Sequence, residues 1–294
     1  MSVPLAELGA VVECLAAMGA EEELAELLER ELRRPDKGRL EEEFAEWRRA
    51  PPEGEPPYEF VMGSPEEEEG RSPREARVRV VLTQSLWVRP VSVTYGQWLL
   101  MAENPDHLKS WGSEARLPAT HVSWFEASLY ARWVEHWRRR YGLRLGGAPA
   151  EYRVSLPSEA QREFFTRAGT TTQFWSGDSD ADLRAVGWFG ANSGVRVHAV
   201  GELSPNAWGV HDVHGNVLEW CRDWYADELR GGEDPLGPLG GRVRVLRGGS
   251  YGDAAWWCRS AVRYWVAPDS AWGNFGFRLV LSAPERSSKL GHWE

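Results

Sequence analysis

The part of the sequence after Gly169 places the strongest constraint on the fold. Gly, Asp, Asn and Pro are frequent there, and the runs that alternate like β-strands are short. Two of these runs are clear, at residues 241–247, which end at a Gly pair, and at residues 277–281, the last predicted strand. Long irregular loops in a compact domain usually carry function or bind ions. We therefore expect short strands and ordered loops in this half, with the functional residues on the loops.

Regular helices are predicted in the preceding part of the domain. They cover residues 93–101, 124–140 and 158–167, and an alternating strand lies before them at residues 77–82. Ser123 and Glu126 have the capping-box spacing, in which each side chain satisfies a backbone N–H of the other residue. This combination of helices with short strands predicts the α+β class.

Residues 1–50 are interpreted as a helical appendage. Residues 51–57 form a Pro-rich linker to a main domain at residues 58–282, and residues 283–294 form a tail. Because a segment this short cannot build a stable core alone, we expect the appendage to pack on the main domain or on a partner protein. Apolar residues repeat there at the period of an amphipathic helix, at Leu5, Leu8, Val12, Leu15, Leu24, Leu27, Leu28 and Leu32, and Phe44 and Trp47 end a third short helix.

The composition narrows the functional classes. Seventeen Trp imply either a heavily aromatic core or an exposed aromatic surface. A formal net charge of −10 argues against nucleic-acid binding, since a phosphate-binding face needs a net basic patch. The basic residues are almost all Arg, a bias that fits a GC-rich or thermophilic host. No segment approaches the length of about 18 apolar residues that spans a membrane, and the start lacks the basic region of a signal peptide, so we expect a cytoplasmic protein.

Short blocks in a fixed order resemble the formylglycine-generating-enzyme (sulfatase-modifying factor) domain family over residues 58–282. Asn206–Trp220 (NAWGVHDVHGNVLEW) is the most specific block, and Arg247–Ser250 and Gly276–Arg278 close the pattern. The order of the blocks is more specific than any single one. The resemblance implies a variant of the C-type lectin fold, with a twisted antiparallel sheet, two flanking helices and many ordered loops. The earlier blocks lie at residues 60–64, 90–95, 117–124 and 152–160.

The resemblance does not extend to the catalytic residues of the family. The oxidase members use two cysteines shortly after the Gly-Gly-Ser to bind copper and engage the substrate thiol. The first of these positions holds Asp253 here, and only Cys258 remains. One thiolate cannot supply a two-sulfur Cu(I) site, and Asp is a hard oxygen ligand unsuited to it. We therefore expect no copper and no enzyme activity. The competing hypothesis is a copper-dependent formylglycine-generating oxidase acting on a sulfatase cysteine.

Histidine and cysteine indicate no other metal site. A second branch of the family uses three His to hold iron, and the seven His here show no such triad. His211 and His214 are the only close pair, and in this family block a loop His is interpreted as structural. Cys14, Cys221 and Cys258 have neither metal-type spacing nor a disulfide framework. Cys221 and Cys258 each follow a Trp, and we expect both to be buried, reduced thiols.

The C-terminal segment Arg247–Val280 mixes residues of fixed structural type with positions that share neither periodicity nor chemistry. In this it more closely resembles the variable region of a diversity-generating-retroelement target protein, a class that displays variable side chains on this lectin-like fold. Adenine-directed mutagenesis varies codons in that class, and the Trp codon has no adenine, so the tryptophans are interpreted as fixed aromatic anchors. The candidate ligand-binding positions are Tyr251, Gly252, Asp253, Ala255, Tyr264, Val266, Ser270, Gly273, Asn274 and Phe275, together with Trp256 and Trp272.

The function expected from this resemblance is non-catalytic binding of an unidentified macromolecule at the C-terminal surface. The alternative is an ordinary surface on a non-enzymatic family member. Display requires the candidate side chains to be mostly exposed on one face, with two tyrosines, Tyr251 and Tyr264, and Phe275 as an aromatic patch. Buried positions do not accept arbitrary substitution, so the fixed residues should lie beneath that face. These buried residues are expected to be Arg259, Arg263, Phe277 and Arg278.

The block Asp212–Glu219 also resembles the calcium loop of the family. The resemblance implies that Asp212 and Glu219 supply carboxylate oxygens and that Gly215 and Val217 supply backbone carbonyls. Oxygen-only ligands on an irregular loop suit Ca²⁺. The family's other calcium site is not legible around residues 188–194, so the sequence leaves open whether calcium is bound. A calcium-dependent sugar site is not expected, because neither a Glu-Pro-Asn nor a Trp-Asn-Asp triplet is present.

Overall fold

The computed structural model describes residues 4–102 and 114–284, and its elements confirm the α+β class. The described residues form the α-helices α1 (Leu5–Ala17), α2 (Glu21–Glu31), α3 (Lys37–Glu43), α4 (Tyr95–Trp98), α5 (Trp124–Arg140), α6 (Glu159–Arg167) and α7 (Asp180–Arg184). The strands are β1 (Arg48–Ala50), β2 (Tyr58–Met62), β3 (Val78–Leu82), β4 (Leu86–Val88), β5 (Arg153–Ser155), β6 (Leu218–Trp224), β7 (Gly232–Glu233), β8 (Arg244–Arg247), β9 (Arg263–Val266), β10 (Phe275–Phe277) and β11 (Val280–Ser282). None of the helices in these two ranges is long and apolar enough to cross a membrane.

Three sheets organise these strands. The first has the strand order β1-β4-β11-β5, the second β10-β6-β8-β9 and the third β2-β3-β7. In the second sheet β10 runs parallel to β6, whereas β6 with β8 and β8 with β9 are antiparallel. The segment Arg247–Val280 therefore starts in the second sheet, returns to it as β9 and β10, and reaches the first sheet at its last residue.

The prediction of one last strand at residues 277–281 is wrong, because the chain changes sheets within it. β10 ends at Phe277 in the second sheet, and β11 begins at Val280 in the first. Arg278 lies buried between them, and its guanidinium donates to the carbonyl oxygens of Arg89 (2.9 Å) and His211 (2.8 Å). A buried guanidinium needs several acceptors, and the change of sheet brings Arg278 to them.

Helix α5 carries much of the aromatic core. It has the predicted bounds, and the capping box forms: the Glu126 carboxylate accepts a hydrogen bond from the Ser123 N–H at 2.8 Å. The ring of Tyr130 on this helix lies 5.5 Å from the ring of Trp98 and 5.4 Å from that of Phe277. Aromatic pairs in this range of distances stabilise beyond the area they bury. The core of the domain thus joins α4, α5 and β10.

The helical appendage packs on the main domain, as expected. Gly9 of α1 approaches α5 so closely that a Cβ there would lie 2.4 Å from the carbonyl oxygen of Phe125. Glu13 of α1 forms an ion pair with Arg132 of α5 at 2.6 Å. At the end of the segment expected to be helical, Arg48–Ala50 form β1 and pair with β4 in the first sheet. The appendage is therefore continuous with the sheet structure of the domain.

Candidate binding surface

A glycine pair shapes the start of the segment Arg247–Val280. Gly248 and Gly249 follow β8 with φ angles of 102° and 73°, which favour glycine. A Cβ at Gly249 would also lie 2.5 Å from the Sγ of Cys258. The glycine pair therefore allows residues 250–262 to form a tight loop before β9, with Cys258 packed closely against Gly249.

Four buried arginines of this segment each form an ion pair with a glutamate outside it, and we call them the anchoring arginines. Removing one partner of a buried pair leaves an uncompensated charge, so each pair fixes one point of the segment to the rest of the domain. The expected burial of Arg259, Arg263, Phe277 and Arg278 is confirmed. The pairs are Arg247–Glu163, Arg259–Glu68, Arg259–Glu75 (3.0 Å), Arg263–Glu159 (2.6 Å) and Arg278–Glu219 (2.9 Å).

Two anchoring arginines also bind the backbone of their own segment. Arg247 donates to the carbonyl oxygens of Ala261 (2.8 Å) and Ser260 (3.0 Å). Arg259 donates to the carbonyl oxygen of Trp256 at 2.9 Å. Because these acceptors belong to the backbone, the side chains between the arginines can change without removing the bonds.

Two of the glutamate partners, Glu219 and Glu163, keep their charge although they are buried. Burial alone would raise the pKa of Glu219, but the guanidinium groups of Arg278 and Arg162 lower it below its ordinary value. Burial opposes the charge of Glu163 as well, and two neighbouring arginines lower the pKa of that carboxyl below its ordinary value. The arginines therefore sustain these carboxylates as anions.

The candidate ligand-binding positions reach the surface to different degrees. Gly252 is exposed, seven positions are half-buried and therefore partly accessible, and Phe275 and Ala255 are buried, so the prediction of mostly exposed side chains is wrong. As ligand contacts, the accessible positions remain predictions. The half-buried positions are Tyr251, Asp253, Tyr264, Val266, Ser270, Gly273 and Asn274.

Phe275 and Ala255 are buried because each fills an apolar contact. The Phe275 ring lies 5.5 Å from the ring of Trp220, and the ring of Trp272 stacks on it at 5.2 Å. Ala255 belongs to an apolar cluster with Phe174. Substitution at either position would open a cavity or overpack the interior. These two positions therefore belong with the fixed residues.

The exposed aromatic rings of the segment are tryptophans. Trp256, Trp265 and Trp272 are 45%, 39% and 60% exposed, and each contacts a neighbouring ring that restricts it. The aromatic patch expected from two tyrosines and Phe275 does not form, because the tyrosines are half-buried and Phe275 is buried. Rigid, exposed rings beside smaller side chains are typical of binding surfaces.

Hydrogen bonds join separate parts of the segment at this surface. The Asp253 carboxylate accepts from the Ser250 N–H (2.8 Å) and from the Ser250 hydroxyl (2.7 Å). The Asn274 amide donates to the same hydroxyl at 3.3 Å. The Tyr251 N–H donates to the carbonyl oxygen of Asn216 at 2.9 Å. Asp253 therefore closes the loop after the glycine pair, and the loop lies beside Asn274.

The prediction of two buried thiols is confirmed. Cys221 and Cys258 are free cysteines without exposed surface, and burial raises the pKa of both thiols. A reactive cysteine needs access and a lowered thiol pKa, and neither residue has them. Cys14, on α1, is an exposed free cysteine.

Both histidines of the close pair hold backbone atoms. His214 is buried, and burial lowers its pKa to about 3. Its Nδ1 lies 2.8 Å from the carbonyl oxygen of Cys258, and its Nε2 accepts from the Trp175 N–H at 3.0 Å. The Nδ1 of His211 lies 2.8 Å from the carbonyl oxygen of Leu203. These bonds fit the structural interpretation of the pair and fix His214 as a neutral ring.

The two carboxylates of the expected calcium loop differ in how they are bound, and calcium binding at this loop stays a prediction. The Glu219 carboxylate is taken by two guanidinium groups, with Arg162 Nε at 2.8 Å and Arg278 Nη2 at 2.9 Å, and by the Ser92 hydroxyl at 2.6 Å. One oxygen of Asp212 accepts from the Gly201 N–H at 2.7 Å, and the other, Oδ1, is buried without a hydrogen-bond partner among the described residues. Ca²⁺ takes six to eight oxygen ligands, and a carboxylate neutralised by two arginines is a poor one. No cluster of three or more His, Cys, Asp or Glu suited to a metal occurs in the described part of the chain.

The glutamate partners of the anchoring arginines were not predicted from the sequence. Glu159 and Glu163 lie four residues apart on α6 and so share one face of that helix, which is a usable signal. Glu68 and Glu75 lie in and after an acidic loop, where no period indicates which carboxylate turns inward. Only the fold shows that these four side chains meet Arg247–Val280.

A comparison with known proteins identifies a family and several relatives that resemble this chain. Residues 56–283 match the family described as sulfatase-modifying factor enzyme 1-like domain. The formylglycine-generating enzyme of Streptomyces coelicolor is 36% identical over 184 residues, which cover 56% of this chain and 53% of that protein. The aligned region thus spans about half the length of this relative.

Two solved structures share the fold. Treponema denticola variable protein 1 has a TM-score of 0.64 and 25% identity, covering 76% of this chain and 92% of that chain. PvdO from Pseudomonas aeruginosa has a TM-score of 0.65 and 25% identity, covering 77% of this chain and 92% of that chain. The expected fold, a C-type lectin fold of the formylglycine-generating-enzyme type with an N-terminal helical appendage, is confirmed. Since the family match runs from residue 56 to residue 283, the chain belongs to the sulfatase-modifying factor enzyme 1-like domain family.

Proposed function

We propose that this chain is a non-catalytic ligand-binding protein, the target of a diversity-generating retroelement, which displays a variable surface on its C-type lectin scaffold. The arrangement of the anchoring arginines carries the proposal. Each is buried and paired with a glutamate outside the segment, while eight candidate positions between them are exposed or half-buried. The fold of the segment thus depends mainly on residues other than those that would vary, and Asp253, which closes the loop on Ser250, is the exception.

The ligand would contact the tryptophans and the accessible positions around them. Trp256, Trp265 and Trp272 supply large rings with few rotatable bonds, and aromatic residues of this kind dominate macromolecular interfaces. The similarity to Treponema denticola variable protein 1, which covers 92% of that chain, supports the comparison with variable proteins. Because a variable surface is selected for each target, we expect a macromolecular ligand that differs between copies of such proteins.

The competing function is a copper-dependent formylglycine-generating oxidase. The similarity to the Streptomyces coelicolor enzyme favours it. The local geometry favours the binding protein instead, because Asp253 closes the loop by accepting from Ser250, and Cys258 is fully buried with a raised thiol pKa. A two-thiolate Cu(I) site at this loop would need a second cysteine and access to both.

A pair of display libraries tests the binding function. One library varies the eight accessible candidate positions, and a matched library varies the four anchoring arginines together with Ala255, Phe275, Phe277 and Gly249. We expect folded members and selectable binders for several unrelated target proteins from the first library and none from the second. If the first library yields no folded members, the proposal is wrong.

Two further observations separate the functions. Purified protein with Cu(I) and a cysteine-containing sulfatase peptide should form no aldehyde, and turnover would refute the non-catalytic assignment. In the neighbouring DNA, a near-copy of the codons for Arg247–Val280 that differs mainly at adenines, beside a reverse-transcriptase gene, is the expected signature of the retroelement. If the intact genomic region contained neither the near-copy nor the reverse-transcriptase gene, the assignment to a retroelement would be wrong, and the proposed binding function would still stand.

A further inference from the structure

A cavity of about 740 Å³ lies where the helical appendage meets the main domain. Helices α1, α2 and α5, strand β5 and residues of β6 and β8 line it, and none of its lining residues belongs to the candidate binding surface. Ligand sites of soluble proteins commonly have volumes of about 300–1,000 Å³, and they form preferentially where two units of structure meet. The position and size of this cavity therefore suit a small molecule.

The cavity is cationic although the chain is acidic. Six arginines and three glutamates line it, in a protein whose formal net charge is −10. Glu13 pairs with Arg132, and Glu135 pairs with Arg138 (3.0 Å), Arg139 and Arg153 (3.7 Å), so the glutamates are shared among an excess of guanidinium groups. The net charge of the lining attracts an anion.

Arg244 is held rigidly in this wall. Its guanidinium carbon lies 3.6 Å from the ring centroid of Trp124 and 3.5 Å from that of Trp224. Burial lowers the pKa of Arg244 to about 10, so the group is still charged at neutral pH. A guanidinium clamped between two rings is oriented before a ligand arrives, which reduces the entropy that binding costs.

Two polar atoms of the lining residues lack partners. The Nε of Arg244 and the hydroxyl oxygen of Ser155 are buried without a hydrogen-bond partner among the described residues. Buried polar groups are nearly always satisfied, and each exception calls for an explanation such as an unseen ligand. A carboxylate or phosphate oxygen is a suitable acceptor for either group.

Apolar side chains form a further part of the lining. Leu24, Ala25 and Leu28 of α2 line the cavity together with Ala131 of α5 and Leu156. We propose that this cavity binds a small organic anion, with its carboxylate or phosphate group on Arg244 and Ser155 and its apolar body against α2. The site is independent of the variable surface, and it makes the helical appendage one wall of a binding pocket.

Calorimetric titration of the full chain with three matched probes tests the site. The probes are 1-naphthyl phosphate, 1-naphthoate and the neutral 1-naphthalenemethanol. We expect at least one anion to bind with one-to-one stoichiometry and at least about tenfold more tightly than the neutral alcohol, the difference that one charge-assisted hydrogen bond supplies. The anion that binds more tightly identifies the ligand class as phosphate or carboxylate.

Three variants locate the binding. Arg244→Gln removes the oriented charge, and Ala25→Trp fills the cavity from the half-buried face of α2 without removing any charge. Each should weaken anion binding by at least about tenfold. The matched control Arg196→Gln removes an exposed arginine that does not line the cavity, and binding should be unchanged. Melting curves show whether each variant is folded, and Ala25→Trp keeps the test valid if Arg244→Gln unfolds.

The outcomes distinguish this site from the proposed function. A chain with alanine at the accessible candidate positions should still bind the anion, because none of them lines the cavity. Failure of both naphthyl anions to bind at millimolar concentration overturns the cavity proposal and leaves the display function untouched. Binding that survives Ala25→Trp also overturns it, since the anion then lies elsewhere.

Discussion

Replacing Glu163 by Gln tests the anchoring arrangement at its centre. The Glu163 carboxylate is fully buried, pairs with Arg167 at 2.8 Å and with Arg247, and accepts from the Gly63 N–H at 2.8 Å. Gln has nearly the same shape but no charge, so Arg167 would lose its counterion and Arg247 would keep only the more distant Glu159, at 3.8 Å. Breaking a buried pair in this way costs about 3–5 kcal/mol.

That cost is large enough to measure by thermal unfolding. For a domain of this size, about 3–5 kcal/mol corresponds to a fall of roughly 6–20 °C in melting temperature. The matched control is Glu59→Gln, which breaks an ion pair of similar length, Glu59–Arg79 at 2.6 Å, on the surface of the third sheet. Exposed ion pairs are screened by solvent, so the control should have the same melting temperature as the wild type.

A double variant separates charge loss from shape change. Glu163→Gln together with Arg247→Met removes both partners, and the double variant should lose less stability than the sum of the two single losses. If Glu163→Gln melts within about 2 °C of the wild type, the ion pair contributes little. The segment Arg247–Val280 would then be held by other contacts. The hypothesis that the anchoring arginines fix the fold independently of the candidate ligand-binding positions would be refuted.

Three further predictions concern pH, calcium and thiols. The pKa values of Glu163 and Glu219 are lowered in the folded state, so their contribution is present above about pH 4.3, the ordinary value for Glu, and is lost as the pH falls through the lower folded-state pKa. The melting temperature should therefore drop steeply below about pH 4, and a flat profile down to pH 3 would contradict this assignment. A calcium chelator should leave the melting temperature unchanged, because Glu219 is bound by arginines; a fall of several degrees would restore the calcium loop. A thiol reagent should modify one cysteine of the folded chain, Cys14, and rapid modification of a second would show that Cys221 or Cys258 is accessible.

The elements that could be predicted are those fixed by local patterns. Helix α5 follows from its capping box and its periodic apolar face, and it has the predicted bounds. The end of the chain could not be predicted in this way, because residues 277–281 look like one strand locally. Their division between two sheets depends on Arg278, whose partner Glu219 lies 59 positions away in the sequence.

The sequence predicted some features of the candidate binding surface and missed others. The sequence pattern indicated Trp256 and Trp272 as ligand-binding positions, and both are exposed, but it did not indicate Trp265, which is exposed as well. Phe275 looked variable because no period marks it as buried. Its burial follows from the pairing of β10 with β6, which places it against Trp220. Such cross-strand contacts depend on sheet order, which the local sequence does not encode.

In the loop that resembles a calcium site, one of the two expected carboxylate ligands is paired with arginines instead. Asp212, Gly215, Val217 and Glu219 all stand in the order expected for the ion. The decisive residue, Arg162, lies on α6, and its guanidinium shares the Glu219 carboxylate with Arg278. Two fixed cations beside one carboxylate provide the positive charge that an ion would otherwise bring. A bound ion leaves when its concentration falls, whereas these cations are part of the chain. The segment Arg247–Val280 is thus anchored at this point by the ion pair between Arg278 and Glu219, both of which belong to the chain.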